Sequence, residues 1–387
     1  MKKITFVMLA LASMLTMILE GGCTGNNGVK TTQTTPADTV PEVVEVVPVY
    51  IPEADPILNS TARVLAGLPL DESDSLYPLT QTNEWAQHAQ VMDKMWAKCQ
   101  ETLDKVDTIC VNDLSAIIDN AHNVFYSFSG PDFAFMTAFF PLAETYYMMA
   151  LEPTGNVITP DGVKGKVYNQ IQKTLQVLLG SSFFITKSMA VDMNTEEIDG
   201  TIPVFMVLMA RMGYEIVSID YQDLTEDGEW IDVETSSPFI KIRFFRDGDQ
   251  PMEQTLYYLS TNIATVNFDP RVQAMIDKID PTTTASFVKS CSYCLHEEKY
   301  SQIRQDILDH SFALIQDDTG ITYNTLLGNG WSVTLYGKYT HPLAVFGESV
   351  YQKSLDDIYK AGEGILPLGF RFGYNANGSV MMVAERP

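Results

Sequence analysis

The chain has 387 residues, 45% of them apolar and 19% charged, the proportions of a globular protein long enough to bury a substantial core. Its 49 Asp and Glu against 25 Lys and Arg leave a formal net charge of −24. That balance excludes a nucleic-acid surface, which needs basic groups to neutralise phosphates, and disfavours attraction to anionic lipid heads.

The first residues, MKKITFVMLALASMLTMILEGGC, have the parts of an export signal: Lys2 and Lys3, then a largely apolar run from Ile4 to Leu19. A spanning helix needs about 20 apolar residues, so this run is short for one. Gly21 and Gly22 precede Cys23, and the junction resembles the lipobox of bacterial lipoproteins, with Glu20 standing where that pattern usually has Leu. The expectation is a signal peptide over 1–22 and a lipidated Cys23 that partners the chain with a membrane. Residues 23–58, rich in Thr, Pro, Val and Glu, keep no period and cannot offset their ordering entropy by burial, so they read as a disordered tether. The chain is similar here to Bacteroidota-type lipoproteins. Because no acidic run follows Cys23, the resemblance implies an outer-membrane anchor with the body facing the periplasm.

The body, 59–387, reads as one large domain or as two intimate subdomains, about 59–195 and 196–387. Helical spacing runs over 82–105, where Thr82 or Asn83 caps the start, and again over Val111 to Asn123. In FYSFSGPDFAFMTAFF, Ser129 to Asp132 read as a helix start and Pro141 as its end. TYYMMALEP then reads as a strand buried on both faces, closed by Glu152 and the proline after it. Helices follow over Lys164 to Leu179 and in IPVFMVLMARM, the latter closed by Gly213.

Periodicity then changes to that of strands in YEIVSIDYQDL, EWIDVET, PFIKIRFF and QTLYYLST, an antiparallel meander near 214–262. Helices are expected in DPRVQAMIDKI, ASFVKSCSYCLHE and YSQIRQDILDHSFALI, then a strand in WSVTLYGKY and a helix in SVYQKSLDDIYKA. GFRFGYNANGSVMMVAE reads as a C-terminal hairpin. Helix clusters on an antiparallel sheet make the fold class α+β. The absence of alternating strand and helix units counts against a doubly wound sheet or barrel.

Setting Cys23 aside, Cys99, Cys110, Cys291 and Cys294 are disulfide candidates in an oxidising compartment, with local pairing the simplest of three arrangements. In CSYCLH, Leu295 separates the second cysteine from His296, which excludes haem attachment. No ligand spacing links the histidines, so neither a metal nor a cofactor is expected. In QDDTGI, Asp317 and Asp318 read as the end of a helix, an unfavourable place for two carboxylates. They either turn the chain with Gly320 or bind a cation or sugar-like hydroxyl. Nucleophile elbows, Walker loops and zincin motifs are absent, and Ser182 with Lys187 lacks the SxxK spacing of acyl transfer. Carboxylate pairs serve glycoside hydrolysis, for which Asp317, Asp318, Asp132 and Glu144 are candidates.

FYSFSGPDF, FFP, ETYYMMALEPTG, SFFITKSM, QDDTGI and LYGKYTHPLAVF resemble, as a set spanning Ala62 to Glu385, a poorly characterised group of bacterial envelope proteins. The resemblance implies membership but no activity and no catalytic residue. The expected function is that of an anchored binding or structural module, its ligand an envelope protein or glycan. The alternative is a hydrolase acting on envelope glycan or peptide, and a periplasmic partner of an outer-membrane complex fits the same tether.

Overall fold

A computed structural model describes residues 50–386 apart from 164, 182–194, 196–197, 247, 249–250 and 375–377. The segment read as an export signal, Cys23, most of the stretch read as a tether, and Ser182, Thr186 and Lys187 lie outside the described residues. Residues 50–387 form one compact unit, and the fold is α+β. The body begins nearer 50 than 59. Asp55 caps the helix Pro56–Leu65 and its N–H bonds the Ile216 carbonyl, while Asn59 brackets both backbone groups of Ile216.

Eleven strands among the described residues make one sheet. In chain order they are β1 (Asn123–Ser127), β2 (Thr145–Ala150), β3 (Tyr214–Leu224), β4 (Trp230–Asp232), β5 (Phe239–Arg246) and β6 (Gln254–Ser260). There follow β7 (Thr284–Val288), β8 (Ala313–Gln316), β9 (Ser332–Gly337), β10 (Ile365–Leu366) and β11 (Val380–Glu385). Their order across the sheet is β10-β9-β11-β8-β7-β1-β2-β6-β5-β3-β4. The expected meander is present, with β6, β5, β3 and β4 paired antiparallel in that order.

The centre differs from expectation. β8, β7, β1, β2 and β6 run parallel, the arrangement of a doubly wound sheet. β1 occupies residues to which no element was assigned beyond Asn123, β7 replaces a stretch expected to be helical, and β8 replaces the end of the helix that in fact stops at Asp309. The reason is burial on both faces. All five residues of β7 and all four of β8 are buried, and so short an apolar run has no period to separate strand from helix. Among the described residues GFRFGY forms no strand beside β11, which instead inserts between β8 and β9 and pairs antiparallel with both. VMMVA is apolar on both faces, and that position buries all five residues.

One face of the sheet is covered by the helices Pro56–Leu65, Asn83–Asp113, Phe133–Phe139, Gly165–Ser181 and Ile202–Met212. Pro270–Ile276, Ser301–Asp309 and Tyr323–Gly328 cover the other. Several helix ends are as the sequence indicates. Thr82 accepts from Trp85 N–H and Gly213 adopts φ 75°, whereas the helix that stops before Pro141 starts only at Phe133, capped by Asp132 accepting from Phe135 N–H instead of by Ser129 or Gly130. A division near 195 does not occur, since β1 and β2 sit between β7 and β6 in the middle of the sheet.

Candidate functional site at the carboxyl ends of the parallel strands

The parallel strands run outward from β1 through β2 to β6, and the chain then returns to place β7 and β8 on the other side of β1. Loops leaving β1 and β7 therefore diverge at the carboxyl edge, where open sheets of this order hold their ligands. Three loops meet there: Ser127 to Asp132 after β1, Lys289 to Tyr293 after β7, and Asp317 to Thr319 after β8. QDDTGI thus follows a strand, not a helix, so no helix dipole opposes its carboxylates.

The loop backbones are unusual. Phe128 has φ 60°, and Ser290, Ser292 and Tyr293 have φ 58°, 57° and 59°. Each left-handed non-glycine residue costs about 1–2 kcal/mol, and such strain concentrates at functional sites. Cys294 N–H bonds the Cys291 carbonyl at 3.1 Å, closing a turn with both central residues left-handed.

Gln316, wholly buried at the end of β8, latches the next loop. Its amide donates to the Ile321 carbonyl at 2.6 Å and accepts from Ile321 N–H at 2.7 Å. Within that loop Asp317 is buried and accepts from Thr319 N–H, Thr319 hydroxyl and Ser290 N–H at 3.1, 2.6 and 3.0 Å. Burial first, and then the charge of Asp318, hold its carboxyl above the ordinary carboxylate range. Burial also raises Asp318, against the lowering effect of a 2.6 Å hydrogen bond from the Tyr293 hydroxyl.

Asp318 lines a narrow cleft with Tyr293, Tyr339, His341, Tyr374 and Leu343. Tyr374 reaches across it, its hydroxyl donating to the Ser290 carbonyl and lying 2.9 Å from Ser292 Oγ. The cleft admits little more than one water-sized group at its base, so it suits a single polar group of a larger molecule.

Asp132 is not in this cleft. It is 1% exposed, takes a 3.0 Å hydrogen bond from the Tyr126 hydroxyl, and lies 2.6 Å from Lys289 Nζ. Lys289 is 3% exposed, with its ammonium 3.4 Å from the centre of the Phe135 ring. Glu144 stands before β2 at the opposite, amino edge of the sheet, exposed and 2.8 Å from His122. The four candidate acids therefore divide three ways: Asp132 and Asp317 in the buried interior, Asp318 in the cleft, Glu144 on the far edge. Glu152 is buried beyond the end of β2.

Cys99, Cys110, Cys291 and Cys294 are free thiols, which corrects the expectation of disulfides. Cys99 and Cys110 lie on the same helix, and a rise of about 1.5 Å per residue puts them far beyond bridging distance. Burial pushes both thiols up to about 12. The Cys291 thiol instead donates to the Thr319 carbonyl at 2.9 Å. Among the described residues no cluster of three or more His, Cys, Asp or Glu has the arrangement of a metal site, and no helix is long and apolar enough to cross a membrane.

Lys289, Tyr126, Gln316, Tyr293 and Tyr374 escaped the sequence reading. For Lys289 one signal was available: a lysine directly ending the apolar run ASFV, where a long charged side chain must find a buried partner. No protein family matches the chain, and neither a curated protein nor a solved structure shows significant similarity to it.

Proposed function

We propose that this body is the ligand-binding module of an envelope lipoprotein, tethered through Cys23 and recognising a glycan at the cleft beside Asp318. The observation that carries the reading is the Asp318 carboxylate, hydrogen-bonded to Tyr293 and facing a cleft walled by Tyr339, Tyr374 and His341 at the switch point of the sheet. A carboxylate accepts from sugar hydroxyls, and aromatic walls give the apolar face of a sugar ring a surface to lie against. Hydrolysis by paired carboxylates has less support: Asp132 is closed off by Lys289 and Tyr126, and Glu144 lies on the other edge.

Calorimetric titration with soluble peptidoglycan fragments tests the ligand class. Wild-type protein should bind, while Asp318→Asn and Tyr339→Ala should each weaken binding at least tenfold. Failure of the wild type to bind, or equal affinity in all three proteins, would refute the reading. Palmitate-analogue labelling of wild type and Cys23→Ala tests the anchor, which equal labelling would reject.

A further inference from the structure

The most demanding contact in the body is the one between Lys289 and Asp132, and the cleft does not use it. Both side chains are 1% exposed, whereas the other lysine and arginine ion pairs among the described residues each have at least one more accessible partner. The amine lies 2.6 Å from Asp132 Oδ2, yet without the angles of a hydrogen bond, and it has no other acceptor among the described residues. Its surroundings are aromatic: Phe135 lies beneath the nitrogen, and Phe133, Phe139 and Phe287 are wholly buried in the same core.

We infer that Lys289 and Asp132 are the two halves of an intramolecular isopeptide bond, joining Lys289 Nζ to Asp132 Cγ. A nitrogen 2.6 Å from a carboxyl oxygen is close to the reacting separation from its carbon, about 3–3.5 Å. The fold holds it there, since the residues follow the neighbouring parallel strands β7 and β1. Attack requires the amine and the acid in their neutral forms. One proton passing from ammonium to carboxylate along the contact gives both, and a dry site favours that neutral pair over two buried charges. Burial is the largest influence on Lys289 and acts in that direction, lowering its proton affinity.

The step balances without an oxidant or cofactor. The nitrogen lone pair forms the N–Cγ bond, a Cγ–O bond breaks, and the oxygen leaves as water with one proton from the amine and one from the acid. Tyr126 assists the departure, its hydroxyl donating at 3.0 Å to Oδ2, the oxygen that takes the proton and leaves, while Phe135 N–H lies 3.4 Å from Oδ1, where charge develops on attack. Asp317 is the next carboxyl, near enough that its charge acts on both Lys289 and Tyr126. The product is a neutral amide in place of an ion pair, and it ties the loops after β1 and β7 together at the switch point.

Peptide mapping of the full chain by mass spectrometry, after denaturation and proteolysis, tests this directly. The expected result is a branched peptide containing Asp132 and Lys289, lighter than the sum of its two linear parts by one water. Recovery of those parts as separate linear peptides of full mass would overturn the inference, and this measurement needs no variant to fold. Asp132→Asn should give the same branch, lighter by one ammonia. Lys289→Arg must give linear peptides only, and a branch there would overturn the assignment to Lys289 Nζ.

Discussion

Replacing Gln316 by leucine is a sharp test of how the carboxyl edge is held. The glutamine amide is wholly buried and makes two hydrogen bonds to Ile321, donating to its carbonyl at 2.6 Å and accepting from its N–H at 2.7 Å. Ile321 is equally buried, so neither backbone group can turn to water. Leucine has a similar volume and fills the space without supplying either partner. Each orphaned backbone group costs about 1–3 kcal/mol, which gives about 2–6 kcal/mol for the pair. Urea unfolding should show a lower midpoint with an unchanged slope, because the area exposed on unfolding stays the same. Gln316→Glu keeps the acceptor for Ile321 N–H but sets a carboxylate oxygen against the Ile321 carbonyl, so it should not rescue. The latch also carries Asp317 and Asp318, so glycan affinity should fall in the leucine variant. A stability loss below about 0.5 kcal/mol, within the range of ordinary surface substitutions, would refute the role given to this side chain.

Three other outcomes follow from the buried groups. Burial lowers His88 to about 4 from its ordinary 6.5. Its neutral ring therefore contributes full stability above pH 6.5, and that contribution is lost as pH falls towards 4, at up to about 1.4 kcal/mol per pH unit. The stability advantage of wild type over His88→Asn, from urea titrations, should shrink across that window; a constant difference would contradict it. Asp317 has the opposite sign. Its folded pKa is raised to about 7 from 3.8, so its contribution is complete below about pH 4 and is lost as pH rises towards 7. Asp317→Asn should gain on wild type over that interval, by the same titrations, and a gain on acidification instead would reverse the assignment. Finally, Cys99 and Cys110 should remain thiols in oxidised protein, and non-reducing peptide mapping that links them would disprove the helix Asn83–Asp113.

Much of this architecture is legible where periodicity or punctuation is strong. Thr82, Asp132, Pro141 and Gly213 mark helix ends through local chemistry, and the meander from β3 to β6 alternates between turn signals. Legibility fails at β1, β7 and β8, because a strand covered on both faces has no polar face to give it a period. The site depends on those strands. Asp317 and Asp318 stand out in the sequence as an acidic pair, but their reading as a helix end hid the fact that they cap a parallel strand. Lys289 and Tyr293 become partners of the acids, and Tyr374 a wall of the cleft, only through pairings between distant segments, which no local pattern contains.

The position of β11 governs the timing of assembly. This strand, near the end of the described chain, lies inside the sheet and is the bridge between β8 and the outer pair β9 and β10. Until residues 380–385 are available, β8 presents an open row of N–H and C=O groups along an apolar strand, and the β9–β10 pair has no edge of the sheet to join. An incomplete chain therefore carries a sticky edge that invites pairing with other chains. The sheet closes only after residues 380–385 arrive, and a chain lacking them is marked for aggregation or proteolysis.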